Sequence, residues 1–271
     1  MPLQLNPTFR EQLGVAVRPL FGLWACTGSP LVTEIAAGSG LDWLLIDGEH
    51  SANTLETIQT QLQVAAAYPV TPLVRVPFND AVAIKQVLDL GAQNLIVPMV
   101  SSVDEALAAA AATRYPPEGI RGVGSALARS ARWNRVEKYL VDADQYVSLT
   151  VQIESVAGVE AAEGIAGVDG VDAVFVGPSD LAASMGLLGQ QTHPAVVEAV
   201  TDVFAAVKKA GKAVGVNAFD PAAADAYVAA GADFVAVGAD VALLARASEA
   251  LATRYLPSTE DAEADEPRPS Y

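Results

Sequence analysis

Residues 43–50 read WLLIDGEH, four apolar residues that run without a polar interruption into Asp47, Gly48, Glu49 and His50. An unbroken apolar run of this kind suits a parallel strand covered by helices on both faces. The polar break at its end is where a barrel of such strands collects its reactive groups. The same pattern returns in LIVP (95–98) and in AVFVGPSD (173–180). Working outward, candidate strands fall at Phe21–Cys26, Trp43–Asp47, Leu73–Val76, Asn94–Pro98, Ser148–Glu154, Ala173–Val176, Lys212–Val216 and Phe234–Val237.

Between them lie Ala-rich helical stretches with start and stop signals. Asn53 with Glu56, and Ser102 with Glu105, have capping-box spacing. Ser29-Pro30 and Asp220-Pro221 place a capping residue before a proline at the first helical position. Gly91, Gly211 and Gly231 stand where helices should stop. Eight βα units in succession predict a (β/α)8 TIM barrel, an α/β fold, over residues 1–256 as one domain. An open doubly wound sheet is the alternative, but the turn after its first strand would more often be a Gly-rich dinucleotide loop, and here it reads CTGSPL (26–31).

Two segments depart from the rhythm. Tyr115–Arg135 gathers Pro, Gly and Arg121, Arg129, Arg132 and Arg135 between strands four and five. It reads as a long ordered βα excursion, a place where function often resides. Pro257–Tyr271 is acidic, Pro-punctuated and without an apolar face, and reads as a disordered tail.

The chain has 271 residues, 52% of them hydrophobic, enough to bury a full core. Its net charge of −16 opposes binding to nucleic acid or to an anionic membrane surface. Cys26, the single cysteine, has no disulfide partner, as in a reducing compartment. The opening MPLQLNPTFREQ lacks the pattern of a signal peptide, and no apolar run is long enough to span a membrane. The expectation is a cytoplasmic protein.

Polar residues that close the strands converge on one mouth. Glu154 and Asp180 end neighbouring strands, so both carboxylates should reach one cation, and two carboxylates plus water and substrate oxygens suit Mg²⁺ or Mn²⁺, with Co²⁺ as a third option. The plainer reading is that each opens a helix, where the dipole favours an acid. Zinc is disfavoured, because His193 precedes a proline at a helix start and Cys26 lacks a partner. Arg75 sits between Val74 and Val76. It is either an ion-pair partner of a carboxylate or a fixed cation for a developing enolate. His50 follows Asp47 by three residues, so Asp47 could orient the ring for acid/base work; otherwise His50 is a loop residue capping a helix. Trp24, taken alone, reads as barrel core. No lysine falls late in a strand, which disfavours imine chemistry, and GVNAFD (215–220) and VGADVA (237–242) offer no phosphate cradle.

FGLWAC (21–26), LLIDGEH (44–50), LVRVP (73–77), DLGAQNLIVPMV (89–100), GIRGVGSALARSARWN (119–134), VQIES (151–155) and VFVGPSDL (174–181), in that order, resemble the class II pyruvate aldolases of the 4-hydroxy-2-oxoheptanedioate aldolase type. The resemblance runs from about residue 10 to residue 255, outside the tail. It implies a barrel of the phosphoenolpyruvate/pyruvate superfamily whose C-terminal helix is exchanged between subunits of a homo-oligomer, a trimer or hexamer. It also implies Glu154 and Asp180 as metal ligands, Arg75 on the pyruvate keto oxygen, and His50 with Asp47 as the acid/base dyad. Gln152 would lie near the metal's waters, Gly177 and Ser179 would donate to the pyruvate carboxylate, and Trp24 and Asn217 would line the substrate site. Asn217 stands where the family carries an apolar residue against the aldehyde. Asp89 would reach a neighbouring subunit's site, with Arg121 in the excursion. The implied reaction is reversible, metal-dependent cleavage of a 4-hydroxy-2-oxo acid to pyruvate and an aldehyde such as succinic semialdehyde, a step of aromatic catabolism. The base is left open between His50 and a water on the metal. The alternatives are an aldolase for 2-keto-3-deoxy sugar acids, a lyase of coenzyme A esters, and a non-catalytic metabolite-binding barrel.

Overall fold

Successive side chains of a strand point to opposite faces, and in this chain both faces meet apolar neighbours. The computed structural model describes residues 3–124 and 126–256; the segment 257–271, expected to be a disordered tail, lies outside the described residues. Eight parallel strands close on themselves in chain order: β1 (Leu20–Ala25), β2 (Trp43–Asp47), β3 (Thr71–Arg75), β4 (Asn94–Val97), β5 (Ser148–Ile153), β6 (Ala173–Val176), β7 (Ala213–Asn217) and β8 (Phe234–Ala239). The (β/α)8 barrel is therefore the fold, and the open sheet is excluded. Strand ends move by a residue or two from those expected. Two ends move by two residues: β8 runs on to Ala239, and β3 starts at Thr71, whose N–H donates to the Asp42 carbonyl at 3.0 Å and extends the pairing below the apolar run.

The helices are α1 (Phe9–Val15), α2 (Pro30–Ala37), α3 (Leu55–Ala65), α4 (Ala81–Asp89), α5 (Val103–Thr113), α6 (Tyr139–Asp142), α7 (Val156–Glu160), α8 (Ala162–Ala166), α9 (Pro178–Ser184), α10 (Pro194–Lys209), α11 (Pro221–Ala229) and α12 (Asp240–Tyr255). Ser29, Ser102 and Asp220 cap α2, α5 and α11, though the Ser102/Glu105 box stays half-closed because the Glu105 carboxylate accepts the Ser101 N–H instead, at 2.7 Å. The Asn53/Glu56 box does not form. Thr54 caps α3 in a box with Thr57, while the Asn53 amide turns inward to the Asp47 carbonyl at 2.7 Å.

The strand faces divide the core in two. Outward residues such as Leu44, Ile46, Val74, Val151 and Val174 pack under the helices. Inward residues fill the barrel, where Trp43, Phe175 and Phe234 stack with Phe9, which plugs the barrel from below on α1. Gly22 is the space for Trp43: a Cβ there would lie 2.1 Å from the indole.

The excursion at 115–135 corrects one expectation. It follows α5 and leads into β5, so it is an αβ connection at the N-terminal end of the strands, the end away from the mouth. Tyr115, Ala131, Val136, Tyr139 and Ala143 form a small core of its own. Helix α12 is also distinctive. Asp240 is its one buried residue, and Val241, Leu243, Leu244, Leu251 and Tyr255 are exposed.

Candidate active site

The period of two along the strands sets which side chains reach the mouth. Trp43 and Leu45 point into the barrel, so Asp47 does too; Leu73 and Arg75 share a face; Thr150, Gln152 and Glu154 share another. Asp47 and Arg75 are register partners on β2 and β3. Their side chains form a fork, with Arg75 Nε 2.8 Å from Asp47 Oδ1 and Nη2 2.9 Å from Oδ2, both residues buried. Nη1 lies 2.7 Å from Glu49 Oε2. The guanidinium sits 4.3 Å over the Trp24 ring, and Trp24 Nε1 donates to Asn217 Oδ1 at 3.0 Å.

This arrangement corrects the expected dyad. The Asp47 carboxylate accepts the backbone N–H of Glu49 at 3.0 Å and of His50 at 3.2 Å, and spends its remaining capacity on Arg75. It does not face the imidazole. His50 projects into solvent, and its nearest acid is Glu49, whose Oε1 is 3.9 Å from Nε2. The turn depends on Gly48, because a Cβ there would lie 2.6 Å from the Arg75 carbonyl.

Across the mouth, Glu154 is 2% exposed. It accepts the Met99 N–H at 2.8 Å and a bond from Gln152 Nε2 at 2.5 Å. Burial pushes its carboxyl up to about 7 despite those two bonds, and the charges of Glu49 and Asp180 push the same way. Burial likewise raises Glu49. Gly177 backs this pair closely: a Cβ there would lie 2.7 Å from Glu154 Oε2.

Glu154 and Asp180, with Gln152, are the residues that could hold a cation. Gln152 Oε1 is buried and has no hydrogen-bond partner, so an oxygen acceptor faces the site unused. Asp180 is exposed on the first turn of α9. Among the described residues no group of three or more His, Cys, Asp or Glu is placed to hold a metal. An oxygen-rich site of one or two carboxylates, completed by water and substrate, suits Mg²⁺ better than zinc. The residues present fit such an ion.

One cavity of about 290 Å³ draws most of the expected set together: Trp24, Asp47, His50, Arg75, Gln152, Gly177, Ser179, Asp180 and Asn217 line it, and Glu154 lies directly behind Gln152 and Gly177. Asp89 and Arg121 are not part of it. They pair with each other at 3.3 Å beside the excursion, at the opposite end of the barrel. His193 caps α10, as its position before Pro194 predicts. Three residues were not anticipated. Glu49 stood unused within the DGEH run; Phe219 joins the cavity wall; Asp240 accepts the N–H groups of Cys26 and Thr27, at 2.8 and 3.1 Å, fixing the loop after β1.

Comparison with known proteins agrees with this geometry. The chain is 52% identical over 251 residues, 93% of its length and 95% of the relative's, to a protein of Salmonella arizonae named 4-hydroxy-2-oxo-heptane-1,7-dioate aldolase. Among solved structures, an HpcH/HpaI aldolase/citrate lyase family protein from Burkholderia cenocepacia superposes with a TM-score of 0.86 at 42% identity, over 90% of this chain and 97% of that one. An HpcH/HpaI aldolase from Desulfitobacterium hafniense gives 0.83 at 29% identity, over 94% and 99%. The profile of the HpcH/HpaI aldolase/citrate lyase family matches residues 20–247, and the chain, with its closed parallel barrel and its mouth of acids around one buried arginine, belongs to that family.

Proposed function

We propose that this chain is a class II pyruvate aldolase that reversibly cleaves 4-hydroxy-2-oxo acids to pyruvate and an aldehyde, with 4-hydroxy-2-oxoheptanedioate and succinic semialdehyde as the reference pair. The observation that carries the reading is the buried Arg75 guanidinium facing the same cavity as Gln152, with the buried Glu154 carboxylate hydrogen-bonded directly behind it. It is supported by half identity, over most of both chains, to a relative named for that substrate.

Arginine has five N–H donors. Asp47 takes two, and Nη1 lies 2.7 Å from Glu49 Oε2 as an ion-pair contact without hydrogen-bond geometry, which leaves three for an oxygen in the cavity. Those donors are fixed before substrate arrives, so they stabilise charge on the keto oxygen as pyruvate becomes an enolate without reorganising. A divalent cation held by Glu154 and Asp180 would supply Lewis-acid polarisation of the keto acid. Ser179, at the N-terminal end of α9, presents its backbone N–H to the pyruvate carboxylate; Gly177, expected to donate as well, gives its N–H to the Ile153 carbonyl at 3.1 Å and contributes close backbone approach instead. His50, exposed at the rim beside Glu49, is placed to move a proton to or from the hydroxyl of the departing aldehyde. Asn217 and Phe219 form the wall on the aldehyde side. No lysine lines the cavity; Lys208 and Lys209 pair with Asp233 and Glu163, and Lys212 bonds the Val171 carbonyl.

The proposal includes a homo-oligomer, a trimer or hexamer, in which α12 leaves its own barrel and Asp89 completes a neighbour's site. The exposed apolar side chains of α12 and the distance of Asp89 from this chain's mouth support it. Among the described residues no helix is long and apolar enough to cross a membrane, and we place the enzyme in the cytoplasm.

Pyruvate in D₂O tests the reading without any aldehyde. With Mg²⁺ or Mn²⁺ the protein should exchange the methyl protons, and chelator should stop the exchange reversibly. A silent barrel gives no enzyme-dependent exchange, and a lysine imine gives exchange that survives chelation; either result, read by proton NMR, rejects the proposal. A panel of hydroxy-ketoacids with different tails then ranks aldehydes, and sugar-acid tails test the rival substrate class.

A further inference from the structure

Gly91 ends α4 at φ +94°, and the side chains of Arg129 and Arg132 meet over it. A Cβ on Gly91 would lie 2.6 Å from Arg129 Nη1 and 2.9 Å from Arg132 Nη1, so the two guanidinium groups crowd the space one methyl group would fill. Both side chains are half-buried. Their bonds go to neutral carbonyls, Arg129 Nη1 to Leu90 at 3.0 Å and Arg132 Nη1 to Arg129 at 2.5 Å. Neither has a carboxylate within ion-pair distance among the described residues, whereas of the two deeply buried arginines Arg75 has two and Arg121 one. Two like charges out of water without a counter-charge repel and lose hydration. The arrangement is the more telling in a chain with 32 acids and only 16 bases.

The pair borders a cavity of about 320 Å³ shared with Asn6, Gln12, Tyr68 and Thr71. Thr71 opens β3, so this cavity lies at the foot of the barrel, and Arg75 stands at the other end of the same strand. Most N–H groups of both arginines have no acceptor here, and planar guanidinium forks match the oxygens of phosphate and carboxylate.

We infer that this cavity is a second binding site, for a small, multiply charged oxyanion (inorganic phosphate or a short dicarboxylate) clamped between Arg129 and Arg132. Such an anion supplies the missing counter-charge and ties the 115–135 excursion to the base of β3. Burial and the neighbouring Arg132 charge draw Arg129 down to about 10, and a bound anion reverses that trend. The site does not use this chain's own mouth, and its test reads anion protection rather than turnover, so its failure and that of the aldolase reading are distinguishable.

Arginine footprinting on the full chain tests it: phenylglyoxal modification, read by peptide mass spectrometry, with inorganic phosphate in one arm and succinate in the other. Saturating anion should slow modification of Arg129 and Arg132 together while exposed Arg254 stays unaffected. The arm that protects identifies the class of ligand, and protection in either supports the site. Calorimetry with the protecting anion, with pyruvate and Mg²⁺ filling the mouth, should show one site per chain, weakened about tenfold or more in Arg129→Gln and in Arg132→Gln. The footprint needs no variant, so it stands even if a substitution fails to fold. Three results overturn the inference: no protection by either anion, binding unchanged in both variants, or protection present without added anion that disappears when the chain ends at Leu256 or is diluted to single chains. The last would mean that a carboxylate of the protein itself is the counter-charge.

Discussion

Asp47→Asn separates the role the sequence pattern gives Asp47 from the role its contacts give it. The substitution keeps the shape and removes the charge from a fork of two bonds at 2.8 and 2.9 Å, leaving buried Arg75 with Glu49 alone. Breaking a buried pair on one side costs about 3–5 kcal/mol, within the roughly 5–15 kcal/mol by which a domain is stable, so the barrel should still fold. At about 2 °C per kcal/mol for a chain of this size, the melting temperature should fall by about 6–10 °C. Pyruvate methyl exchange should fall as well, because the guanidinium is no longer aimed. A double-mutant cycle decides whose partner Asp47 is. With Arg75→Lys the coupling should be about 2 kcal/mol or more, since either change already breaks the fork. With His50→Ala it should be near zero, because the Asp47–His50 contact is to a backbone N–H that alanine retains. Strong coupling to His50 and none to Arg75 would refute the reasoning and restore the dyad.

Arg75→Lys alone should lower kcat/KM by about 10²-fold or more in a pyruvate-release assay, since a point ammonium cannot hold both oxygens of Asp47 and still present a planar set of donors to the cavity; retention of most activity would make Arg75 purely structural. Glu154→Gln should leave the metal-free melting temperature unchanged near pH 4.5 and raise it at pH 8. The unfolded carboxyl titrates near 4.5 and the folded one near 7, so the charge opposes folding as pH rises through that window and is absent below it; a variant no more stable at pH 8 contradicts this. For the same reason Mn²⁺ affinity of the native chain should fall about tenfold per pH unit below 7 and level off above it, a profile that calorimetry would show missing if Glu154 is not a ligand. Cys26, pushed up to about 12 by burial and by Asp47 and Asp240, should resist iodoacetamide at pH 8 until urea is added; rapid native alkylation would show the thiol is open.

The barrel was legible because its strands are uninterrupted apolar runs and its helices stop at glycines such as Gly91, Gly211 and Gly231, all at positive φ. The converging polar residues were legible for a related reason, since a strand that ends in Gln152-Ile153-Glu154 can point those two side chains only one way. What failed was anything that depends on partners across strands. Three residues of separation place Asp47 near His50 along the chain, but register places Asp47 beside Arg75, and an ionic fork outcompetes an exposed imidazole. A position between strands four and five does not by itself say at which end of the barrel the excursion lies; the helix at Val103–Thr113 uses up the βα step and leaves the excursion as an αβ connection. Glu49 was overlooked because a loop acid beside a histidine has no periodicity to mark it; only the distance to Arg75 does.

Trp24 carries a consequence of another kind. The chain's three tryptophans occupy three environments: Trp43 is sealed among aromatic rings, Trp133 is half in water, and Trp24 lies under the Arg75 guanidinium with its N–H on Asn217. An indole's emission shifts with the polarity and charge around it. Trp43 is shielded from anything entering the mouth and Trp133 sits on the excursion at the other end of the barrel, so within one chain a fluorescence change on adding pyruvate would report on Trp24. The enzyme thus contains its own optical reporter of the mouth, an indole lying 4.3 Å under the Arg75 guanidinium.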